Sequence, residues 1–97
     1  MKEEIILKPE KALKYVKSNV NKEDLLELSY NRVYAPGEVL DIYLEENFGE
    51  EHLFVSMQLT GDLVNDVVNV NLHDIMDDLL EIGHITDEKE IVIIVED

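Results

Sequence analysis

The chain contains no cysteine, which removes disulfides, thiolate nucleophiles and every thiolate-bound metal. It has no tryptophan and only two prolines. Its four glycines are scattered at positions 37, 49, 61 and 83, so no glycine-rich phosphate loop exists. The serines (Ser18, Ser29 and Ser56) lie outside any Gly-x-Ser-x-Gly elbow, which leaves no activated serine. A His-Glu-x-x-His zinc motif and an EF-hand ligand pattern are both missing. The longest apolar run, Ile91 to Val95, is far too short to span a bilayer. Met1-Lys2-Glu3-Glu4 lacks the basic-then-apolar layout of a signal peptide, so a soluble, cytoplasmic protein is expected.

Basic residues are the most telling scarcity. Ninety-seven residues carry 8 lysines and arginines against 23 acids, a net charge of −15. The imbalance is not uniform. The first 32 residues hold seven basic and six acidic side chains, whereas the remaining 65 hold only Lys89 against 17 acids. Between Val33 and Glu88 there are 14 acids and no lysine or arginine. Acidity of this kind exceeds what solubility requires and destabilises a compact state by self-repulsion. It also excludes nucleic-acid binding by the C-terminal two-thirds, because phosphates would be repelled. The N-terminal lysines are offset by acids and read as a solvated helix face.

With 45% apolar residues, the chain suits one small globular domain spanning residues 1–97. Glu3 to Lys8 reads as a short strand. Pro9 suits the first position of a helix running to Ser18 or Asn19, with Ala12, Leu13, Val16 and Val20 inward and Tyr15 at the margin. Asn21 is placed to cap a short second helix over Lys22 to Ser29. Ala35-Pro36-Gly37-Glu38 fits a type II turn joining strands at Tyr30–Tyr34 and Val39–Leu44. Residues 38–47 also share a helical face, and the pattern alone leaves strand and helix both open.

Beyond a turn at residues 45–49 the signals are clearer. Leu53, Val55, Met57 and Leu59 alternate with Phe54, Ser56, Gln58 and Thr60 as in a half-buried strand. Thr60-Gly61-Asp62 breaks it, a further strand starts near Val67, and Glu90–Val95 reads as a strand covered on both faces. Between them, Leu72 to Ile82 has helical periodicity. Asn71 supplies an N-cap, Gly83 a stop, and Asp74, Asp77, Asp78 and Glu81 fall together on one face. The expected fold class is therefore α+β: a mixed or antiparallel sheet of about four to five strands with two to three helices packed on it.

Neither a catalytic residue nor a cofactor follows from these patterns, and an enzyme is not expected. The one metal constellation to weigh is His73, Asp77, Glu81 and His84, which would share a face if the last helix ran through Gly83. An acidic helix with two histidines produces that spacing by chance, so no metal ligand is assigned. Partner binding is assigned instead to the carboxylates: Asp74, Asp77, Asp78 and Glu81 on the helix, continued by Asp41, Glu45, Glu46, Glu50 and Glu51. Carboxylates about 6 Å apart along a helix are a crude copy of a phosphate row. In charge and size, though in no alignable residue, the chain is similar to acidic nucleic-acid-mimicking phage inhibitors and to immunity proteins of nuclease toxins. The expected partner is a basic nucleic-acid-binding protein or nuclease, with no direct binding of nucleic acid or membrane. The alternatives are a small acidic accessory or regulatory subunit and, further off, a metal protein using the His73–His84 region.

Overall fold

The structure, a computed structural model, describes residues 2–60 and 66–97. Among these, seven strands form one sheet and a single α-helix packs on it. The order along the chain is β1 (Lys2–Leu7), α1 (Pro9–Asn19), β2 (Leu25–Tyr30), β3 (Val33–Asn47), β4 (Glu50–Leu59), β5 (Val67–Asn71), β6 (Leu79–Ile85) and β7 (Glu90–Val95). In space the strands run β1-β7-β6-β2-β3-β4-β5. Only the edge pair β1–β7 is parallel; every other pairing is antiparallel.

Helix α1 starts as its sequence predicts, with Pro9 in the first turn, where a missing N–H leaves no bond unmade. Ala12, Leu13 and Val16 are buried and Lys11, Lys14 and Lys17 point to water. The helix packs with Leu26, Leu28, Val39, Val55, Met57, Ile82 and Ile93 in one continuous core. Those strand residues all lie on one side of the sheet. Period-2 alternation sends their neighbours to the other side, which no described element covers. Registers there line up in three rows across five strands. The rows are Ile6–Ile94–Glu81–Ser29–Tyr34, Glu4–Val92–Gly83–Glu27–Pro36 and Lys2–Glu90–Ile85–Leu25–Glu38.

This architecture corrects the expected α+β class. The sheet has seven strands rather than four or five, and there is one helix rather than two or three. The second helix expected over Lys22 to Ser29 is absent, and Leu25–Tyr30 form the central strand β2: Leu26 and Leu28 are fully buried between two antiparallel neighbours. Glu23, with φ 78°, turns the chain into that strand, and its N–H bonds to the Val39 carbonyl at 2.8 Å. No type II turn forms at Ala35–Glu38. Strand β3 runs straight through it, and a β-carbon at Gly37 would lie 2.6 Å from the Gln58 carbonyl oxygen. Gly37 serves close strand approach, not chain reversal. Residues 38–47 are strand, and the actual turn is Phe48-Gly49, both with positive φ (53° and 82°), as a two-residue hairpin loop requires.

The expected helix over Leu72–Ile82 is also absent. Asn71 does cap, accepting the N–H groups of His73 and Asp74 at 3.0 and 3.3 Å, but only a single 3-10 turn follows at Met76–Asp78. The segment crosses beneath the core, tied by Leu72 N–H to the Leu53 carbonyl at one end and by Asn31 N–H to the Asp78 carbonyl at the other. It then enters β6. Like-charged pairs Asp74/Asp78 and Asp77/Glu81, with no lysine between them, weigh against helix, while β6 gains ladders on both sides. The strands expected near Glu3, Leu53, Val67 and Glu90 all form, but the last, β7, is packed on one face only: Glu90, Val92 and Ile94 lie on the side that no described element covers. Of the expected break at Thr60-Gly61-Asp62, the last two residues lie outside the described residues.

Substituting Gly37→Ala should destabilise the protein by about 1–3 kcal/mol, the usual cost of forcing volume into a packed site. Gly49→Ala meets no atom and adds only backbone strain at positive φ, on the order of 1 kcal/mol. Urea midpoints of the two variants check this order.

Candidate functional site

The most developed polar arrangement joins helix α1 to the sheet. Tyr15 is on the helix margin, and its hydroxyl lies 2.8 Å from Nδ1 of His84, on β6. Nε2 of the same ring lies 2.7 Å from Oδ2 of Asp24, which also accepts the Asn21 N–H at 3.0 Å. His84 is 4% exposed, the one polar or charged side chain among the buried residues described. A proton on Nε2 donates to Asp24, and Nδ1 completes the chain with the Tyr15 hydroxyl. The Tyr15 and His84 rings also meet edge to face at 5.7 Å.

The three side chains line a cleft of about 860 Å³ together with Asn19, Lys22, Glu38, Thr86 and Lys89. Burial raises the Tyr15 pKa above its ordinary value, and the charges of Asp24 and then Glu3 raise it further. Tyr15 therefore keeps its proton near neutral pH and acts as a donor, not as a phenolate. The Thr86 hydroxyl in the cleft donates to the Lys89 carbonyl at 3.3 Å, while the two His84 nitrogens meet Tyr15 and Asp24, so the histidine and carboxylate activate no hydroxyl nucleophile in this arrangement. The network's physical effect is to fasten three separate pieces: the helix, the 21–24 loop and β6.

A second histidine cluster sits at the far side of the core. His52 on β4 stacks on His73 with ring centroids 4.9 Å apart. The Leu53 N–H donates to His73 Nδ1 at 2.9 Å, and the Asn71 amide reaches His52 Nδ1 at the same distance. Burial lowers the His73 pKa from its ordinary 6.5, as does His52, while Glu50 and Asp74 act in the opposite sense. The metal constellation weighed above is thus taken apart. His73 and His84 join different networks, and no cluster of three or more metal-ligating side chains occurs among the described residues.

The nine carboxylates assigned to partner binding do not form one stripe. Glu45, Glu46, Glu50 and Glu51 gather at the β3–β4 hairpin tip, where Glu46 directly opposes Glu51. Asp41 lies further down β3 and meets Lys22 at 3.9 Å. Asp74, Asp77 and Asp78 are exposed on the crossing segment, and Glu81 projects from β6 onto the uncovered face. At the hairpin apex Phe48 is 100% exposed. The sequence patterns did not single out Phe48 or the Tyr15–His84–Asp24 network. For the latter the available signal was His84 two positions beyond Ile82, which puts both on the inner side of a strand.

A family model matches residues 3–94, described as an uncharacterised protein family conserved in archaea (DUF2097). The chain belongs to that family. No curated protein and no solved structure matches it. Among the described residues no helix is long and apolar enough to cross a membrane.

The lowered His73 pKa has a defined consequence for stability. A histidine whose folded pKa lies below its unfolded value stabilises the fold above pH 6.5, and that contribution is lost as pH falls through the folded pKa. Wild type should therefore lose melting temperature between about pH 7.5 and 5. The His73→Asn variant, which keeps an acceptor near Leu53 N–H, should lose less. Thermal melts of both proteins across that range check the difference.

Proposed function

We propose that the protein acts by binding, not catalysis, and that its carboxylates occupy the basic cleft of a nucleic-acid-binding protein or nuclease. One observation carries this reading: the β3–β4 hairpin ends in a tip bearing Glu45, Glu46, Glu50 and Glu51, with Phe48 wholly exposed at its apex. Glu46 and Glu51 oppose each other about 5 Å apart on one face of the hairpin, and Glu45 and Glu50 project from the other, so the tip is negative on both faces. Among the described residues no lysine or arginine forms an ion pair with these four; the His52 ring lies 3.9 Å from Glu50. A directly opposed Glu46–Glu51 pair is destabilising in isolation, and a basic partner relieves it.

Phe48 strengthens the proposal. A bulky residue in left-handed backbone is an outlier, and glycine or asparagine would fill the turn at lower cost. Aromatic side chains are favoured anchors at interfaces, where they bury large area with little loss of rotamer freedom. An acidic finger with an aromatic apex suits insertion into a groove that otherwise holds a polyanion. A family conserved in archaea favours a resident cellular partner over a phage target, with an immunity or antitoxin role as the close variant.

Capture from an archaeal lysate at low salt, followed by competition with duplex DNA or RNA, tests this. Glu46→Lys with Glu51→Lys should leave the melting temperature unchanged or raised, because opposed like charges are removed. Association with the captured partner should slow by tenfold or more and lose salt dependence. Phe48→Ala should speed dissociation instead. If tip variants bind like wild type, or the isolated protein shifts nucleic acid in a gel, the proposal fails.

A further inference from the structure

The uncovered side of the sheet is chemically unusual for a surface open to water. Across five strands it exposes Ile6 (63%), Tyr34 (61%) and Leu25 (43%), with Ile94 half-buried beside Ile6. Ile6 and Ile94 lie side by side, Tyr34 ends the same row beyond Glu81 and Ser29, and Leu25 lies two rows away, so the apolar area is spread over the face with carboxylates between. Apolar area on a sheet face that no described element covers is surface a partner can bury. The same face carries Glu4, Glu27, Glu38, Glu81 and Glu90 against a single lysine, Lys2, and that lysine already meets Glu90 at 3.7 Å.

Glu27 stands at the centre of this face, on the central strand β2. Its neighbour across the ladder is Gly83, and Glu27 Oε1 lies 2.9 Å from the point a β-carbon there would occupy. The carboxylate thus lies over the gap that the glycine leaves. The Tyr34 hydroxyl fixes it by donating to Oε2 at 2.9 Å. The result is a half-buried, positioned carboxylate bordered by Leu25, Ser29, Gly83 and Pro36, with no lysine, arginine or histidine in ion-pair contact among the described residues. A group placed in this way is stabilised by a cation brought from outside.

We infer that this face is the docking site for a basic amphipathic α-helix of a protein partner. The helix sets an arginine or lysine on Glu27 and apolar side chains on Ile6, Leu25 and Ile94. The inference rests on the reading of the protein as a binder of basic partners and adds a second surface, separate from the hairpin tip. Charge decides among occupants. A second copy would bring five acids against five on the same face, and a nucleic acid would bring phosphates; both are repelled. A strand would add to a sheet edge, whereas here a broad face is uncovered. Five strands span about 19 Å between the outer two, matching a helix of three to four turns. The opposite side of the same sheet already takes an 11-residue helix, so a second completes the layering.

The test uses the full chain and a fluorescein-labelled 16-residue helical peptide with leucines at heptad a and d positions and arginines at e and g. A scrambled peptide of the same composition is the control. The helical peptide should bind wild type at least tenfold more tightly than the scrambled one, shifting the amide resonances of Leu25, Glu27 and Ile94. Glu27→Gln and Ile6→Ser should each weaken it fivefold or more, whereas Glu46→Lys with Glu51→Lys should weaken it less than twofold. Ile6 is largely exposed, so its variant tests the face without endangering the fold. Equal binding of both peptides, no binding, or indifference to Glu27→Gln overturns the inference. So does a dimer in sedimentation that Ile6→Ser dissolves. A captured partner lost by the tip variant but retained by Glu27→Gln leaves the proposed function standing and overturns this one alone.

Discussion

One eleven-residue helix has to supply the inner layer for a seven-stranded sheet, and the rest of the molecule follows from that shortage. Ala12, Leu13, Val16 and Val20 give α1 an apolar side, but a helix this short makes only part of a layer. The crossing segment between β5 and β6 completes it by turning Leu72, Ile75 and Met76 into the same core. The Tyr15–His84–Asp24 chain then holds helix, sheet and loop in register with hydrogen bonds that water does not reach freely. A buried histidine without such partners would cost several kcal/mol, so the network and the helix position depend on each other. No described element remains for the other side of the sheet.

The division of charge follows the same plan. Lysines 11, 14 and 17 are on the water-facing side of α1. Of the later acids, Glu45, Glu46, Glu50 and Glu51 lie on the hairpin tip, Asp74, Asp77 and Asp78 on the crossing segment, and Glu38, Glu81 and Glu90 on the uncovered face. Each region carries carboxylates that local lysines do not neutralise, which is the condition under which a basic partner gains most from long-range attraction. Phe48 at the tip and Ile6, Tyr34 and Leu25 on the face add apolar area beside that charge. Charge governs encounter and apolar contact governs residence, so the two occur together at both surfaces.

Where local chemistry and tertiary context agree, the elements were readable from residues alone. Pro9 with the Ala12–Leu13–Val16 spacing marked α1, and the Leu53–Val55–Met57 alternation marked β4. The two misread helices share a cause. In Leu25–Tyr30 a period-2 pattern was present, but Asn21, Glu23 and Asp24 offered the chemistry of a helix start; Asp24 is instead committed to His84. In Leu72–Ile82 the residues expected inward mostly do go inward. They reach the core through a crossing turn and then a strand, because pairing β6 with both β2 and β7 satisfies more backbone than a helix of unneutralised acids could. Gly37 shows the same limit: its need is a neighbour's carbonyl 2.6 Å from the missing β-carbon, 21 positions away in sequence. The acidic residues were found as a composition. Their division between tip, crossing segment and face depends on strand registers that no local pattern encodes.

One side of the sheet is packed, and the other is bare of any described element. Methyl relaxation of the isolated protein in the presence of a neutral paramagnetic co-solute measures this directly. Ile6 and Leu25, on the bare side, should broaden strongly, while Leu26 and Leu28, one and three positions along the same strand from Leu25, should be protected. Equal protection of Ile6, Leu25, Leu26 and Leu28 would contradict the account, because it would mean that the face is already covered.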